Sequence, residues 1–376
     1  MARQIEPPII VDGHLDLAWS SQANGRDLTR TVAEIRQAES RTRDSVMLTL
    51  PDLARGHIAL VFGSLYAEPA NLSFAQDLVA PPPGHHPPGY TTPEEARAQA
   101  VSQLEQYLRW EEGGHLRLVR TRDDLEDHLR RWPRDPVPGV VLTMEGADPV
   151  LVPDDFDWWW RQGVRSVGLA WTGTRYAGGT GDPRGLTAPG RELLAAMQER
   201  GAMHDASHLA EEAFWEAVDL TAPGALIASH SNARTLLSSA TRRPDLPPDR
   251  HLSDDMIRAI GRGGGVIGLN LMNSFLDADW TLRERAVPVR VSDQVARHWA
   301  YVADLIGWEG VGIGSDLDAG AGREESPEEL DDAGDWPRLA QAVPEEHREA
   351  VLGGNWLRVL RANLPNTGAA KPQLPT

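Results

Sequence analysis

The stretch GAMHDASHLAEEAFWEAVDLTAPGALIASHSNAR, residues 201 to 234, decides the fold. It reads as strand, helix, strand: a small and apolar run ends at Ser207-His208, an amphipathic LAEEAFWEAV segment follows, a Pro-Gly turn breaks the chain, and the β-type run ALIAS closes on His230. Each strand delivers a histidine at its C-terminal end. In parallel α/β sheets and barrels those ends gather ligands and catalytic groups, because the loops that follow them share one face. Taken singly, either histidine is also explained as a hydrogen-bonded residue at the rim of a core. Two at equivalent places on neighbouring strands can share one metal ion.

Working outward, short β-branched runs alternate with helical patterns along the whole chain. The strand candidates are residues 9 to 17, 57 to 67, 140 to 148, 166 to 171, 202 to 208, 225 to 231, 265 to 271 and 311 to 318. Between them lie helical patterns such as PEEARAQAVSQLEQYLRWEEG, GRELLAAMQERG and VSDQVARHWAYVADLIG. Eight strand-helix repeats close a (β/α)8 TIM-like barrel, whose core takes about 250 residues. The surplus falls in loop insertions. The first, about 68 to 112, carries APPPGHHPPGYTTP ahead of its helix; a Pro and Gly density of that kind excludes regular structure, and the loop is expected beside the active face. His85 and His86 within it read as solvated surface residues and are given no catalytic role. The second, acidic and loop-like, spans about 319 to 337 directly after the last strand. Residues 1 to 363 are expected to form one barrel domain and 364 to 376 a disordered tail.

Composition narrows the chemistry. Of 376 residues, 37 are Lys or Arg and 55 Asp or Glu, a formal net charge of -18, which argues against a nucleic-acid or anionic-membrane surface. There is no cysteine, so a metal must be held by His, Asp or Glu, and disulfides and cysteine nucleophiles are excluded. The N-terminus MARQIEPPIIVDGHLDL has no stretch apolar enough for a signal peptide and no later run reaches transmembrane length, so a cytoplasmic protein is expected.

Ionisable residues then fall on the strand ends. His14 and Asp16 close the first strand, Glu145 the third, His208 the fifth, His230 the sixth, and Asp316 with Asp318 the eighth. Because a strand alternates faces with period 2, His14 and Asp16 point the same way and can reach one ion together. His208 and His230 offer a second pair, and Glu145 is a carboxylate able to bridge two metals. Imidazole and oxygen ligands without thiolate suit a hydrolytic zinc pair roughly 3.5–4 Å apart, with manganese or cobalt also compatible. Each residue has a structural explanation of its own: Glu145 as a helix-start carboxylate, Asp316 as a turn cap, His14 as a backbone partner. Their coincidence on five strand ends favours a shared site. By the same counting His204 lies on the face of His208 but deeper, as a core or supporting residue, and Asp205 faces the other way and orients a neighbour.

At these residues the chain resembles the membrane (renal) dipeptidase family of zinc peptidases, which includes soluble bacterial enzymes. The segments that carry the resemblance are VDGHLDL, LPDLARGHI, TMEGAD, DASHLAEEAFWEAV, ASHSNAR, RHLSDDMI, VGIGSDLD and GGNWLRVL, in the family's order from about residue 9 to about 363. The resemblance implies that His14 and Asp16 bind one zinc, His208 and His230 the other, and Glu145 both. It also implies that Asp316 is the proton-shuttling carboxylate and that Arg250 pairs with the substrate's terminal carboxylate. The implied reaction is hydrolysis of a dipeptide, with a D-residue tolerated at the C-terminal position.

Three departures stand out. Leu15 replaces the Asn of the renal enzymes within His-x-Asp. At the end of the fourth strand Trp171 stands where those enzymes carry a histidine against the reacting carbonyl; an indole donates one hydrogen bond but carries no proton charge. Met272 stands where an aromatic residue lies near their substrate. The competing readings are an amidohydrolase-type deaminase or lactonase, disfavoured by His-x-Asp in place of His-x-His, and a homologue impaired in catalysis, supported by Trp171. Barrels of this kind often dimerise, and by that analogy the first insertion is a candidate homodimer contact.

Overall fold

A computed structural model of the protein describes residues 8–39, 45–70, 89–237, 248–281, 288–320 and 322–366. Eight parallel strands form the barrel: β1 (Ile10–Leu15), β2 (Ile58–Tyr66), β3 (Gly139–Glu145), β4 (Val164–Gly168), β5 (Met203–Asp205), β6 (Leu226–Ile227), β7 (Ile267–Leu269) and β8 (Val311–Ile313). They pair in the order β7-β8-β1-β2-β3-β4-β5-β6. The ring is completed by a single parallel bridge, Ala228 to Ile267. All eight expected strands are present, and helices follow them as the alternating pattern requires.

Two glycines explain how the barrel closes. A Cβ on Gly314 would lie 1.8 Å from the Ser229 carbonyl oxygen, and one on Gly268 2.0 Å from the same atom. Only the missing side chains let these strand ends approach so closely.

The inward faces change character along the barrel axis. Val11, Leu60, Phe62, Val141, Met203 and Ile227 form one buried apolar cluster with Trp356, whose indole donates to the Ile313 carbonyl at 2.8 Å and plugs the barrel's lower end. Two residues further along the same strands, the period-2 positions become Ser64, Thr143, Asp205 and Ser229. The apolar half supplies stability and the polar half is left to line a site. A larger core lies between the barrel and its helices.

The helix of the first insertion, Pro93–Glu112, starts with a Thr92/Glu95 capping box and Pro at its first turn. It clamps the end of β2: Gln103 accepts from the Tyr66 N–H at 2.9 Å and donates back to its carbonyl at 2.5 Å, and the Tyr107 hydroxyl donates to the Ser64 carbonyl. The preceding loop, with His85 and His86, lies outside the described residues. The acidic stretch after β8 is pinned down by Arg36 on Asp331, Arg55 on Asp332 and the buried Leu330 and Trp336, so charge pairing and two apolar anchors hold it to the barrel. Leu364, assigned to the tail from sequence, is buried against the barrel floor, and residues from 367 lie outside those described.

Two features were not expected. A short strand, Arg117–Leu118, pairs with β3, and an antiparallel hairpin, Ala177–Gly179 with Asp182–Leu186, follows β4. Its sequence, AGGTGDPRGL, is too rich in Gly and Pro to show alternation.

Candidate active site

The upper rim of the barrel brings His14, Asp16, Glu145, His208, His230 and Asp316 together. His14 lies within β1 and Asp16 just beyond it, with His14 Nε2 3.5 Å from Asp16 Oδ2. Glu145, last residue of β3, divides its carboxylate between two sides. Its Oε2 lies 3.4 Å from His14 Nε2, while Oε1 lies 3.2 Å from His208 Nε2 and 3.3 Å from His230 Nε2. The two latter Nε2 atoms are 2.9 Å apart. Two groups that could each hold a metal ion thus share Glu145: His14 with Asp16 on one side, His208 with His230 on the other.

The strand ends are shorter than the alternating pattern implied. His208, His230 and Asp316 lie two to three residues past the last paired residue of their strands. His208 and Asp316 adopt left-handed backbone, φ 66° and 57°, a conformation costly for a side-chain-bearing residue and concentrated at functional sites. That turn breaks the period-2 count run backward from His208 and reverses the expectation for its neighbours. Met203 packs in the barrel interior, so His204 faces outward, with Nδ1 3.4 Å from Thr221 Oγ1, and Asp205 faces inward. Asp205 Oδ1 accepts the N–H groups of Ser207 and Ser229 at 3.0 and 2.9 Å, fixing the backbone that leads into both histidines.

Several supporting groups were invisible in the sequence. Ser64 donates to Asp16, Thr180 Oγ1 lies 3.0 Å from His208 Nδ1, and Ser229 Oγ 2.7 Å from His230 Nδ1. Asn270 donates to Asp316 Oδ2 at 2.6 Å and accepts from the Met272 N–H at 2.9 Å. None has a local motif; each is recognisable only through the partner brought to it by folding.

Arg250 is buried beside the cluster. Its Nη2 donates to the His230 carbonyl at 3.1 Å and lies 4.0 Å from Asp316 Oδ2, the guanidinium sits 5.1 Å over Phe275, and Nη1 has no hydrogen-bond partner among the described residues. Trp171 is half-buried, with ring centroids 5.6 Å from His208 and 5.3 Å from Tyr66. Leu15 is fully buried, and Met272 is half-buried at the start of the short helix Asn273–Leu276.

Burial disfavours charge throughout the cluster, and the neighbours decide who keeps it. It would lower His14, but the Glu145 and Asp16 carboxylates hold that imidazole well above its usual range. Against its own burial, Glu145 is held well below the carboxylate range by the charge of His14 and by the His208 and His230 rings beside it. Burial, with Arg250 nearby, pushes His208 down to about 4 and His230 well below its usual value, so both are neutral bases, the form that ligates metal. Asp316 is lifted by burial to about 7.

This arrangement fits metal ions. Among the described residues His14 Nε2 is buried without a hydrogen-bond partner although three carboxylates surround it at 3.4–3.7 Å. Across the site two neutral imidazole nitrogens and a carboxylate oxygen converge within hydrogen-bond distance, a density of lone pairs suited to a cation.

Residues 2–371 match the model of the membrane dipeptidase family, peptidase family M19. The chain belongs to that family. It is a metallo-dipeptidase by membership, and its fold is shared with solved M19 structures. A dipeptidase described as a metallopeptidase of family M19 superimposes with a TM-score of 0.74 at 26% identity, covering 96% of this chain and 100% of that one. A metallopeptidase from Rhodobacter sphaeroides, liganded with a phosphinate mimic of the dipeptide L-Ala-D-Ala, gives 0.75 at 26% identity over 95% of this chain and 100% of that one. An uncharacterized protein in the pqqA 5′ region of Klebsiella pneumoniae is 34% identical over 264 residues, 66% of this chain and 89% of its own. Among the described residues of this M19 member, no helix is long and apolar enough to cross a membrane.

Proposed function

We infer that this M19 dipeptidase cleaves the peptide bond of dipeptides at a pair of zinc ions, with His14 and Asp16 holding one, His208 and His230 the other, and Glu145 bridging them. The observation that carries this reading is the division of Glu145 between His14 and the His208/His230 pair. When bound, such a pair of ions lowers the pKa of a water and polarises the scissile carbonyl.

The chain's own residues supply the rest. Asp316 holds and moves the proton: Asn270 occupies Oδ2, Oδ1 faces His14 at 3.7 Å, and burial brings the carboxyl close to neutral pH, where it can both accept and release a proton. Arg250 binds the free terminal carboxylate of the substrate, and its unpartnered Nη1 supports that assignment. Trp171 walls the site beside His208 with a flat ring and one N–H donor. We extend to this chain a tolerance for a D-residue at the C-terminal position, since the Rhodobacter sphaeroides relative was solved with a mimic of L-Ala-D-Ala. By composition and family analogy we assign the activity to one barrel unit, residues 1–363, in the cytoplasm and as a homodimer.

Elemental analysis of the purified protein, combined with hydrolysis of matched L-L and L-D dipeptides with and without added zinc, tests this. About two zinc ions per chain and dipeptide cleavage are expected. Full metal content with no dipeptide cleaved would move the reaction to another amide or ester, and absence of bound metal would end the reading.

A further inference from the structure

His208 leaves β5 through left-handed backbone, so no strand ladder orients its ring. Its Nε2 faces Glu145 and His230, one face packs towards Trp171, and Nδ1 meets Thr180 Oγ1 at 3.0 Å. Thr180 is 2% exposed and sits at the turn of the hairpin Ala177–Gly179/Asp182–Leu186. Its N–H donates to the Trp171 carbonyl at 2.9 Å. The hairpin is also stitched to the residues after His208, through the Gly179 to Leu209 bridge and the Ala210 N–H on the Gly178 carbonyl at 3.2 Å. One buried hydroxyl is therefore fixed from both sides against one imidazole nitrogen.

We propose that Thr180 is a positioning residue of this active site: its hydroxyl accepts the Nδ1 proton of His208 and thereby turns the Nε2 lone pair toward Glu145 and His230, where the metal is held. A histidine that ligates through one nitrogen must place its proton on the other, and the partner of that second nitrogen sets tautomer and ring orientation. Here the partner is a neutral hydroxyl from a hairpin, not a carboxylate or a strand carbonyl. The same hairpin turn ties the Trp171 backbone to His208, so the position that departs from the renal enzymes and the orientation of a ligand are mechanically joined.

The metal-holding part of this inference rests on the zinc dipeptidase reading, and the tautomer part does not. Thr180→Val keeps the shape and removes the hydroxyl; Thr180→Ser restores it. Metal retention is measured by elemental analysis after equilibration with graded chelator, and the protonated nitrogen of His208 by ring 15N shifts of the metal-free protein. Thermal melting of the metal-free variants verifies that all three proteins are folded. The expected result is metal affinity reduced about 10–100-fold in Thr180→Val and recovered in Thr180→Ser, with Nδ1 protonation of His208 lost only in the valine variant. Equal metal retention and an unchanged tautomer in Thr180→Val would overturn the proposal, as would a serine variant as impaired as the valine one, which would assign the effect to packing. Wild-type protein that binds no metal yet loses the Nδ1 tautomer on Thr180→Val would remove the zinc reading and leave the orientation by Thr180 standing.

Discussion

Asn270 donates to Asp316 Oδ2 at 2.6 Å, and this bond decides which carboxylate oxygen faces the site. With Oδ2 occupied, Oδ1 is left 3.7 Å from His14 Nε2. Asp316 has φ 57°, which Asn tolerates as well as Asp, so Asp316→Asn removes the titrating group without adding backbone strain. Turnover of the best dipeptide is expected to fall about 10²–10⁴-fold while metal content stays at the wild-type level. Elemental analysis alongside steady-state kinetics checks this, and loss of metal in the variant would sink the proton-shuttling role.

Arg250 presents, next to the cluster, a buried Nη1 with no hydrogen-bond partner among the described residues. A hydrogen bond to a charged group contributes about 1.5–3 kcal/mol, roughly 10–100-fold in binding. Arg250→Met should therefore raise KM for a dipeptide by that factor and leave cleavage of the corresponding dipeptide amide unchanged. Equal losses on acid and amide would show that the guanidinium acts on the fold around His230, whose carbonyl it also holds.

Gly314 meets the Ser229 carbonyl where a Cβ would stand at 1.8 Å, and backbone on both sides leaves nothing flexible to yield. Gly314→Ala is expected to cost about 3 kcal/mol of stability, read as a lower urea midpoint. Because Gly314 precedes Asp316 by two residues and Ser229 precedes His230, the same variant should also lose activity. A variant of wild-type stability would contradict closure of the barrel at this point.

Three buried histidines outside the ligand cluster, His128, His204 and His298, are pushed by burial from about 6.5 to about 4. The unfolded chain, with the ordinary value, takes up each proton first as pH falls. Stability from these sites is thus complete above about pH 6.5, declines between about 6.5 and 4, and is fully lost below that; the difference is at most about 3 kcal/mol per histidine. Urea unfolding at pH 7.5 and pH 5 should show a clear fall in midpoint, and His298→Gln should remove part of it. Coincident midpoints would mean that these rings become protonated inside the folded protein.

The sequence by itself determined the number and order of the barrel strands, because strand and helix periodicities alternate eight times, and it determined which ionisable residues stand at the strand ends. His14, Asp16, Glu145, His208, His230 and Asp316 could be picked out there, since imidazole and carboxylate are conspicuous in a chain without cysteine, and folding brings the six together on one rim. Where the chain leaves the ladder, counting failed: the left-handed turn at His208 shifts the register, so His204 and Asp205 face opposite to the expected sides. The hydroxyls and amides that orient the site, Thr180, Ser229, Ser64 and Asn270, are commonplace residues whose roles exist only through partners, in Thr180 and Asn270 28 and 46 residues away in the chain. So too with Gly268 and Gly314, ordinary in the sequence and indispensable only where Ser229 comes against them. Local periodicity is a property of neighbours along the chain; hydrogen-bond partnership and close backbone approach are properties of neighbours in space, and folding alone creates those.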